Sequence, residues 1–388
     1  MKINIPAAIV LIVYPAFLAV LTFLYLKDHS IEALHIMYIL VGYYVTNISI
    51  GVGLHRLWSH ASFKTTKFIE FILCIFSAAA LQGPAIKWAD DHFKHHAHTD
   101  GELDPHTPKR FKNKIKGFFW SHLGWMLSRD DRSSTIDHLT IKKLGRNKLL
   151  VWQFKNYWTI SIFMHLVPPF VFGYILGGSL LSGYTAFLFI ALGRALQHQL
   201  TFCVNSVCHF WGSQKYTTGS ARDVWWLSPF LLGENYHNYH HAFASDYRNG
   251  VKWYHFDVHK WIIYLLYKFG LAWDLNITSP ERIKAKVLLV AQENIQAQWH
   301  EMHSMYGSFR NLILTKIAEL DELGSEIKID FKNNLSEIKN NIDKLMDEIN
   351  LLIDSPDRYS NSLLLVTKNN FNKLHKSFIA LLKTQASA

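Results

Sequence analysis

The chain has 388 residues, of which 49% are hydrophobic, 14% aromatic and only 18% charged. This composition is more apolar than that of ordinary soluble proteins and favours an integral membrane protein. Three cysteines without a CxxC pair exclude a disulfide scaffold, a zinc ribbon and an iron–sulfur protein. Most of the net charge of +10 lies in residues 54–156, between apolar runs, which is typical of the cytoplasmic side of a membrane protein and argues against nucleic-acid binding.

Apolar runs predict the membrane topology. Residues 6–26, 33–53, 157–177 and 180–204 are each long enough to cross the hydrocarbon core, which needs about 20 helical residues. Because the first two runs and the last two are joined by short connections, we expect a multi-pass protein with both termini and the long middle segment in the cytoplasm. A further run over 68–86 predicts a helix in the interface or packed on the protein, with a re-entrant segment as the alternative.

The composition changes after residue 280. Isoleucine and leucine then recur at alternating three- and four-residue steps, at Ile313, Ile317, Leu320, Leu335, Ile338, Ile342, Leu345, Ile349 and Leu352. This spacing is typical of amphipathic, coiled-coil-like helices. We therefore predict a membrane domain over 1–280 and a helical extension over 281–388. Its helices would fold back on one another or on the rest of the chain, or bind a partner or a second copy.

Three histidine clusters stand at the ends of apolar runs. They are His55 with His60, then His92, His95 and His96, and then His237, His240 and His241. On a helix, the HxxHH spacing of the last two clusters points all three imidazoles to one side. One segment can then offer nitrogens to two neighbouring metal ions, and imidazole suits Fe, Zn, Cu or Ni. For His98, His106 and His122 we expect hydrogen bonding at most, and for isolated histidines such as His259 a structural role.

The ordered motifs HRLWSH, DHFKHH and ENYHNYHH resemble those of the membrane-bound fatty-acid desaturases, specifically the stearoyl-CoA (acyl-CoA) Δ9 desaturase-like branch. WADDHFKHHAHTDGELDPH, GFFWSHLGWML, NSVCH and DYRNGVKWY extend the resemblance over residues 6–280. It implies an all-α membrane protein with four transmembrane helices and a cytoplasmic helical cap. In that cap nine histidines, the eight above and His209, would hold two iron ions (Fe²⁺), with Asn205 binding a metal-bound water. Zinc could replace iron in purified samples.

The resemblance also implies a tunnel for an acyl chain. Gln82, Trp88 and Thr201 match the positions that bend the chain, which favours a cis double bond at Δ9. Tyr43 and Asn47 match the positions that limit chain length at the blind end, with ordinary packing within the span as the alternative.

The acyl carrier is less closely defined. Arg129 is retained as a contact with the carrier, but Asp90 and Asp130 replace basic residues of animal relatives, and Phe202 replaces a usual Trp. A carboxylate beside a phosphate is repelled by about 1 kcal/mol per close pair even in water. Acyl-CoA is therefore favoured as the substrate, while acyl chains bound to lipid or carrier protein remain alternatives.

We thus predict an O₂-dependent oxidoreductase that desaturates a saturated acyl chain in unsaturated fatty-acid biosynthesis and reduces O₂ to two waters. The alternatives are a fatty-acid or alkane hydroxylase on the same di-iron scaffold, or a metal transporter or storage protein. The sequence contains no His-Pro-Gly-Gly haem segment and no dinucleotide fingerprint. We therefore expect a separate electron donor, such as a ferredoxin with a reductase. The basic stretch 109–116 is a candidate dock for it, or is attracted to anionic lipid headgroups.

Overall fold

The computed structural model describes residues 2–129, 135–323, 327–353 and 361–386. The chain folds into two compact units, Met1–Ile283 and Lys284–Ala388. The helices of the first unit are α1 (Ile5–Tyr25), α2 (Ala33–Ser59), α3 (Lys67–Ala79), α4 (Ala85–His98), α5 (Lys114–Phe119), α6 (His138–Leu144), α7 (Lys148–Gly177), α8 (Leu180–Thr201), α9 (Val207–Phe210), α10 (Ser228–Leu231), α11 (His237–Ala242) and α12 (Val258–Lys268). Those of the second are α13 (Pro280–Leu323), α14 (Ile327–Ile353) and α15 (Asn361–Ala386).

Short strands tie distant parts of the first unit together. Strand β1 (Lys2–Ile3) pairs antiparallel with β3 (Ser128–Arg129), in the register Ile3 opposite Ser128. Strand β2 (Lys64–Thr65) pairs in the same way with β4 (Ala272–Trp273), in the register Thr65 opposite Ala272. The second pair joins the segment that follows α2 to the segment that follows α12.

Within the described ranges, four helices are long and apolar enough to span a membrane, namely α1, α2, α7 and α8. This confirms the four predicted spans, although α2 continues to Ser59 and α7 already starts at Lys148. Helices α2 and α8 approach each other closely at reciprocal glycines. A Cβ added at Gly42 would lie 2.1 Å from the Ile190 carbonyl oxygen, and one added at Gly193 would lie 2.0 Å from that of Ile39. Small residues at such contacts let membrane helices pack backbone to backbone.

Helix α7 contains two adjacent prolines, and the neighbouring helix α8 replaces a hydrogen bond that one of them removes. Pro168 has no backbone N–H, so the carbonyl of Met164 loses its normal partner within the helix. Arg194, which is buried in α8, donates from its guanidinium to that carbonyl at 2.9 Å. The helix also bends at Asn156, where the backbone is not helical, just before the predicted span.

Within the run over 68–86, helix α3 packs on α7, and its depth in the membrane stays a prediction. Gln153 of α7 donates to the Cys74 carbonyl at 2.7 Å, and Ser161 donates to that of Ala78 at 2.9 Å. On the opposite side of α3, Phe68 and Phe71 are exposed. A turn in which Leu81 and Gly83 have positive φ then leads into α4. Helix α3 therefore connects span α2 to the first HxxHH helix.

The second unit has a hydrophobic core of its own. Its buried side chains include Trp299, Tyr306, Phe309, Ile313, Leu335, Ile338, Ile342, Ile349 and Phe378. The Tyr306 hydroxyl of α13 donates to the Thr367 carbonyl of α15 at 2.9 Å. The predicted helical seam is therefore buried between helices of the unit that fold back on one another. The side chains of Leu320 and Leu352 lie outside the described residues.

Candidate metal centre

Among the described residues, histidine side chains gather into two groups at the ends of α2, α4, α9 and α11. Within each group the ligand atoms lie within 4.8 Å of one another. The first group contains His55, His60, His92, His96 and His240; the second contains His95, His209, His237 and His241. The structure therefore brings together all nine histidines that the sequence and the resemblance proposed as ligands.

Local backbone geometry explains why two histidines five residues apart act together. The inner end of α2, Ser49–Ser59, is a π-helix, in which residue i bonds to residue i+5. Accordingly, the backbone N–H of His60 donates to the carbonyl of His55 at 3.1 Å, and their ring centroids are 4.8 Å apart. In a regular α-helix the same spacing would turn the two rings away from each other.

The two HxxHH helices share their histidines between the groups in opposite ways. In α4, His92 and His96 belong to the five-histidine group and His95 belongs to the four-histidine group. In α11, the first and last belong to the four-histidine group and His240 belongs to the five-histidine group. The Nε2 atoms of His240 and His55 lie 3.0 Å apart, and those of His95 and the last histidine of α11 lie 3.1 Å apart. This converging set of imidazole nitrogens fits a pair of neighbouring metal ions.

A buried carboxylate supports the five-histidine group. Glu234 Oε2 lies 2.7 Å from His55 Nδ1, and Glu234 Oε1 lies 2.9 Å from His259 Nδ1 and 3.0 Å from Arg56. Burial opposes its ionisation, but His55 and Arg56 outweigh burial and hold the pKa of Glu234 well below its usual value. Arg56 in turn forms an ion pair with Asp257 at 2.9 Å. The carboxylate fixes a proton on Nδ1 of His55 and leaves Nε2 free for a metal.

Close packing holds this support in place. A Cβ added at Gly51 of α2 would lie 2.0 Å from the His259 ring, so that only glycine fits beneath it. His259 is fully buried on α12 and reaches the centre through Glu234. We predicted a structural role for His259. In the structure it contacts Glu234, the carboxylate that orients the candidate ligand His55.

Carboxylates also stand behind the four-histidine group. Asp104 Oδ1 lies 3.0 Å from His95 Nδ1, and burial raises the pKa of Asp104 to about 7. His209 Nδ1 hydrogen-bonds to the Ser220 hydroxyl at 2.6 Å, and that hydroxyl hydrogen-bonds to Asp100. Each group therefore has at least one histidine whose outer nitrogen is held by a carboxylate, directly or through a hydroxyl.

Two nearby histidines are not needed to complete either group. The His106 ring packs against that of His95 with centroids 4.1 Å apart, and His106 Nδ1 lies 3.9 Å from Asp104. His95, Asp104 and His106 form a further cluster that could hold a metal ion, but Asp104 already contacts the outer nitrogen of His95. His122 hydrogen-bonds to the Ser206 hydroxyl at 2.9 Å.

Burial favours the neutral form of many imidazoles of the centre, which is the form that binds metal. It lowers the pKa of His96 to about 3 and that of His209 to about 4. It also lowers the pKa values of His60, His92, His95, His237, His240 and His241 well below the usual value, and neighbouring histidines add to the effect.

A cavity of about 590 Å³ leads to the centre. At its inner end it is lined by four of the histidines, His55, His92, His95 and His237. Its other walls come from the start of α1, the turn before α4, the start of α7 and the end of α8. The cavity can hold an elongated ligand with one part against the metal centre.

The sequence model of the fatty acid desaturase family matches residues 32–274, which include all nine histidines. The chain belongs to the fatty acid desaturase family. It is 35% identical over 265 residues to a "Probable acyl-CoA desaturase" of Schizosaccharomyces pombe, covering 68% of this chain and 53% of the relative. It is 36% identical over 258 residues to the "Delta-9 desaturase-like 5 protein" of Arabidopsis thaliana, covering 65% and 79%. It is 35% identical over 248 residues to "Delta-9 acyl-lipid desaturase 1" of the same plant, covering 63% and 75%. The chain spans about half the length of the S. pombe relative.

Several of the predicted tunnel residues line the cavity. They are Gln82, Trp88 and Thr201, and Asn205 lines it as well. Trp88 Nε1 donates to Gln82 Oε1 at 3.4 Å, and Trp88 stacks on His92 with ring centroids 5.0 Å apart. Of the residues proposed to bend the chain, Trp88 therefore lies beside His92, a candidate metal ligand.

The proposed blind-end residues lie elsewhere. Among the described residues, Tyr43 and Asn47 are not part of the cavity lining; both donate to the Phe230 carbonyl, at 2.7 Å and 2.8 Å. Their role in limiting chain length stays a prediction. Arg129 pairs through its backbone in β3, but its side chain and the whole of Asp130 lie outside the described residues.

The structure revises the interpretation of Asp90. Its side chain is fully buried, forms an ion pair with Lys94 at 2.8 Å and accepts hydrogen bonds from Asp137 N and the Thr140 hydroxyl. It fastens α4 to α6 and presents no free carboxylate to a ligand. The expected repulsion between Asp90 and a phosphate is therefore wrong, and this objection to acyl-CoA falls away.

Proposed function

We propose that this protein is an O₂-dependent fatty-acyl desaturase that inserts a cis double bond, at Δ9, into a saturated chain. The observation that carries the proposal is that histidines of both groups line one cavity that can hold an elongated ligand. Membership of the fatty acid desaturase family supports the same conclusion. The names of the relatives, one an acyl-CoA desaturase and one an acyl-lipid desaturase, support a fatty-acyl substrate.

The reaction requires an oxidant made from O₂, because an unactivated methylene C–H is not acidic enough for a side-chain base. It is written R–CH₂–CH₂–R′ + O₂ + 2 e⁻ + 2 H⁺ → R–CH=CH–R′ + 2 H₂O. Two iron ions, when bound by the nine histidines, would supply the redox chemistry. An all-imidazole site also accepts zinc, so that the identity of the metal in a purified sample must be measured.

The protein residues supply placement. Glu234 and Asp104 hold the Nδ1 sides of two ligands, so that the rings are oriented before a metal binds. Asn205 lies on the cavity wall, where it can hold a water molecule beside the centre. An acyl chain has no polar groups along its length, so the cavity shape, including Trp88 and Gln82, must select the carbon atoms that react.

We infer acyl-CoA as the preferred substrate, with acyl-lipid as the alternative. The burial of Asp90 removes one of the two acidic positions that argued against a phosphate-containing carrier. We also propose that both termini and the metal centre face the cytoplasm, because the basic residues of the first unit are concentrated between α2 and α7. Electrons would come from a separate protein.

Expression in a host that lacks its own Δ9 desaturase tests the proposal. Gas chromatography with mass spectrometry of the lipids should show new cis-unsaturated chains, and their distribution between acyl-CoA and lipid pools identifies the carrier. Growth under ¹⁸O₂ separates the alternatives, because a hydroxylase leaves labelled oxygen in the lipid. The variants His95→Ala and His240→Ala are controls from the two groups and should lose both the product and bound metal. Full activity in either variant would contradict the assignment of the centre.

A further inference from the structure

The metal centre has a second accessible side. Four of its histidines line the cavity, but His60, His96 and His241 are only half-buried and, among the described residues, are not part of the cavity lining. In contrast, His209 is buried. The rings of these three residues are neighbours, with centroids 4.8 Å apart for His60 and His96 and 4.5 Å apart for His96 and His241, so they form a side of the centre that the cavity does not line.

Small side chains follow the ligands of this second side in the sequence. Each of the three half-buried histidines is followed by an alanine, Ala61, Ala97 or Ala242. Ala61 and Ala97 are exposed, and Ala242 is half-buried. We call this surface, made by the three histidines and their alanines, the alanine-rimmed opening. Methyl groups leave a protein partner free to approach the imidazoles closely.

Basic side chains lie next to the opening. Lys143 of α6 donates from Nζ to the Ser59 carbonyl at 3.2 Å and lies over the Phe93 ring at 4.2 Å. Ser59 directly precedes one half-buried ligand, which places this ammonium group at the edge of the opening. Lys142 and Arg146, on α6 and the turn after it, are exposed.

The same helix exposes apolar surface. Leu139 is 72% and Ile141 is 51% exposed, close in sequence to the basic residues. A small apolar area with a charged rim is the usual form of a transient protein interface, and electron-transfer complexes are among the smallest.

We propose that the alanine-rimmed opening and α6 dock a small, acidic one-electron carrier protein. The inference rests on the proposed function, which needs two electrons for each double bond and does not supply them. The carrier binds twice per turnover and loses one electron each time, while O₂ is reduced to water. Its negative surface meets Lys142, Lys143 and Arg146, and its redox group faces the imidazole edges of the opening. Charge complementarity of this kind mainly accelerates encounter.

The basic stretch 109–116 fits this role less well. Lys109 is already paired with Asp100 at 3.2 Å. Asp100 contacts Ser220, which in turn contacts the buried ligand His209. A carrier bound there would be directed at the buried ligand His209, whereas a carrier at the opening would face three half-buried ligands.

The test compares two charge reversals of equal size in full-length protein reconstituted into phosphatidylcholine vesicles. One variant carries Lys142→Glu and Arg146→Glu, and the matched control carries Lys114→Glu and Lys116→Glu, which are also exposed. Double-bond formation is measured with three reductants. Two are carriers with their reductases and NADPH, namely an acidic plant-type [2Fe–2S] ferredoxin and the soluble cytochrome b5 domain; the third is dithionite with methyl viologen.

With a carrier at low ionic strength, we expect kcat/KM of the α6 variant to fall about tenfold and to lose most of its salt dependence. The control should change less than about twofold, and both variants should keep wild-type activity with dithionite. The proposed docking surface would be wrong if the two variants responded equally or if the control lost more activity. It would also be wrong if the wild type accepted electrons from neither carrier. Absence of double bonds in the wild type with dithionite would instead contradict the proposed function.

A second substitution tests the opening itself. Ala97→Trp places a large ring over the half-buried ligands without removing a charge. Carrier-driven turnover should fall severalfold, while dithionite-driven turnover and metal content remain unchanged. Wild-type turnover with the carrier would show that electrons enter elsewhere. Binding of the α6 surface to anionic lipid is checked by repeating the comparison in vesicles with phosphatidylserine. If the α6 variant loses activity only in those vesicles, the surface binds lipid headgroups and the proposal fails.

Discussion

Glu234→Gln should weaken one half of the metal centre and spare the other. The substitution keeps the size of the side chain but removes the negative charge that lies 2.7 Å from His55 Nδ1. Glutamine can present its amide NH₂ instead of an oxygen and then no longer fixes the proton on that nitrogen. Arg56 keeps its ion pair with Asp257, so that the loss of one carboxylate should not unfold the protein.

The size of the effect follows from the role of the carboxylate. Removing a group that orients a metal-bound histidine typically lowers metal affinity 10- to 100-fold. This corresponds to about 1.4–2.7 kcal/mol at the five-histidine group. The matched variant Asp104→Asn should cause a loss of similar size at the four-histidine group, because Asp104 holds His95 in the same way.

Equilibrium dialysis against buffered Fe²⁺ or Co²⁺, followed by elemental analysis, measures both affinities in detergent-solubilised protein. Each single variant should retain one tightly bound ion per chain at a free metal concentration that saturates both sites of the wild type. The double variant should retain neither. Circular dichroism and size-exclusion chromatography verify that each variant is folded. We infer that Glu234 supports the five-histidine group and Asp104 the four-histidine group. Wild-type affinity at both sites in Glu234→Gln would refute this, and so would equal weakening of both sites by either substitution.

Other substitutions and conditions test the remaining conclusions. Thr201→Val keeps the volume of the side chain but removes its hydroxyl, and should shift the double bond or slow turnover without changing metal content; an unchanged product and rate by gas chromatography would remove Thr201 from the acyl site. A chain truncated after Lys284 should still bind its metal, because every histidine of both groups lies in the first unit; loss of metal from a folded truncated protein would contradict this. Metal-free protein should become less stable as the pH falls from about 6.5 towards 4. Over this range histidines take up protons in the unfolded chain, whereas burial lowers the pKa of His96 to about 3 in the folded protein. A thermal midpoint that rises on acidification would disprove this. Arg194→Met should lower the free energy of unfolding by about 1.5–3 kcal/mol, because the Met164 carbonyl loses its hydrogen bond. In a background with Pro168→Ala the loss should be smaller, because the helix then supplies the missing N–H. Additive effects in the double variant would argue against the compensation.

The sequence was informative wherever structure follows from local spacing. The apolar runs predicted the spans, and the HxxHH motifs predicted which side chains share a helix face. The ends of α2 and α7 were missed because their polar residues continue the helix beyond the apolar segment. The π-helix that aligns His55 with His60 was not predicted either, since no simple periodicity marks it.

Contacts between residues far apart in the chain could hardly be predicted from the sequence. Glu234 and Asp104 support ligands through contacts formed only when distant segments pack, and a lone carboxylate has no diagnostic spacing. The single local hint was the position of Glu234 three residues before His237, next to a histidine cluster. His209 came from the family resemblance, because an isolated histidine cannot otherwise be distinguished from a structural one.

The order in which the ligands lie along the chain affects how the centre is made. His55 and His240 converge in one group but are 185 residues apart in sequence. At usual synthesis rates, roughly 10–40 s separate their appearance from the ribosome. Throughout that interval His55 and His60 belong to an incomplete group that lacks its last member. Metal loading is therefore a late event in biogenesis, and a chain stalled before α11 would reach quality control with neither group complete.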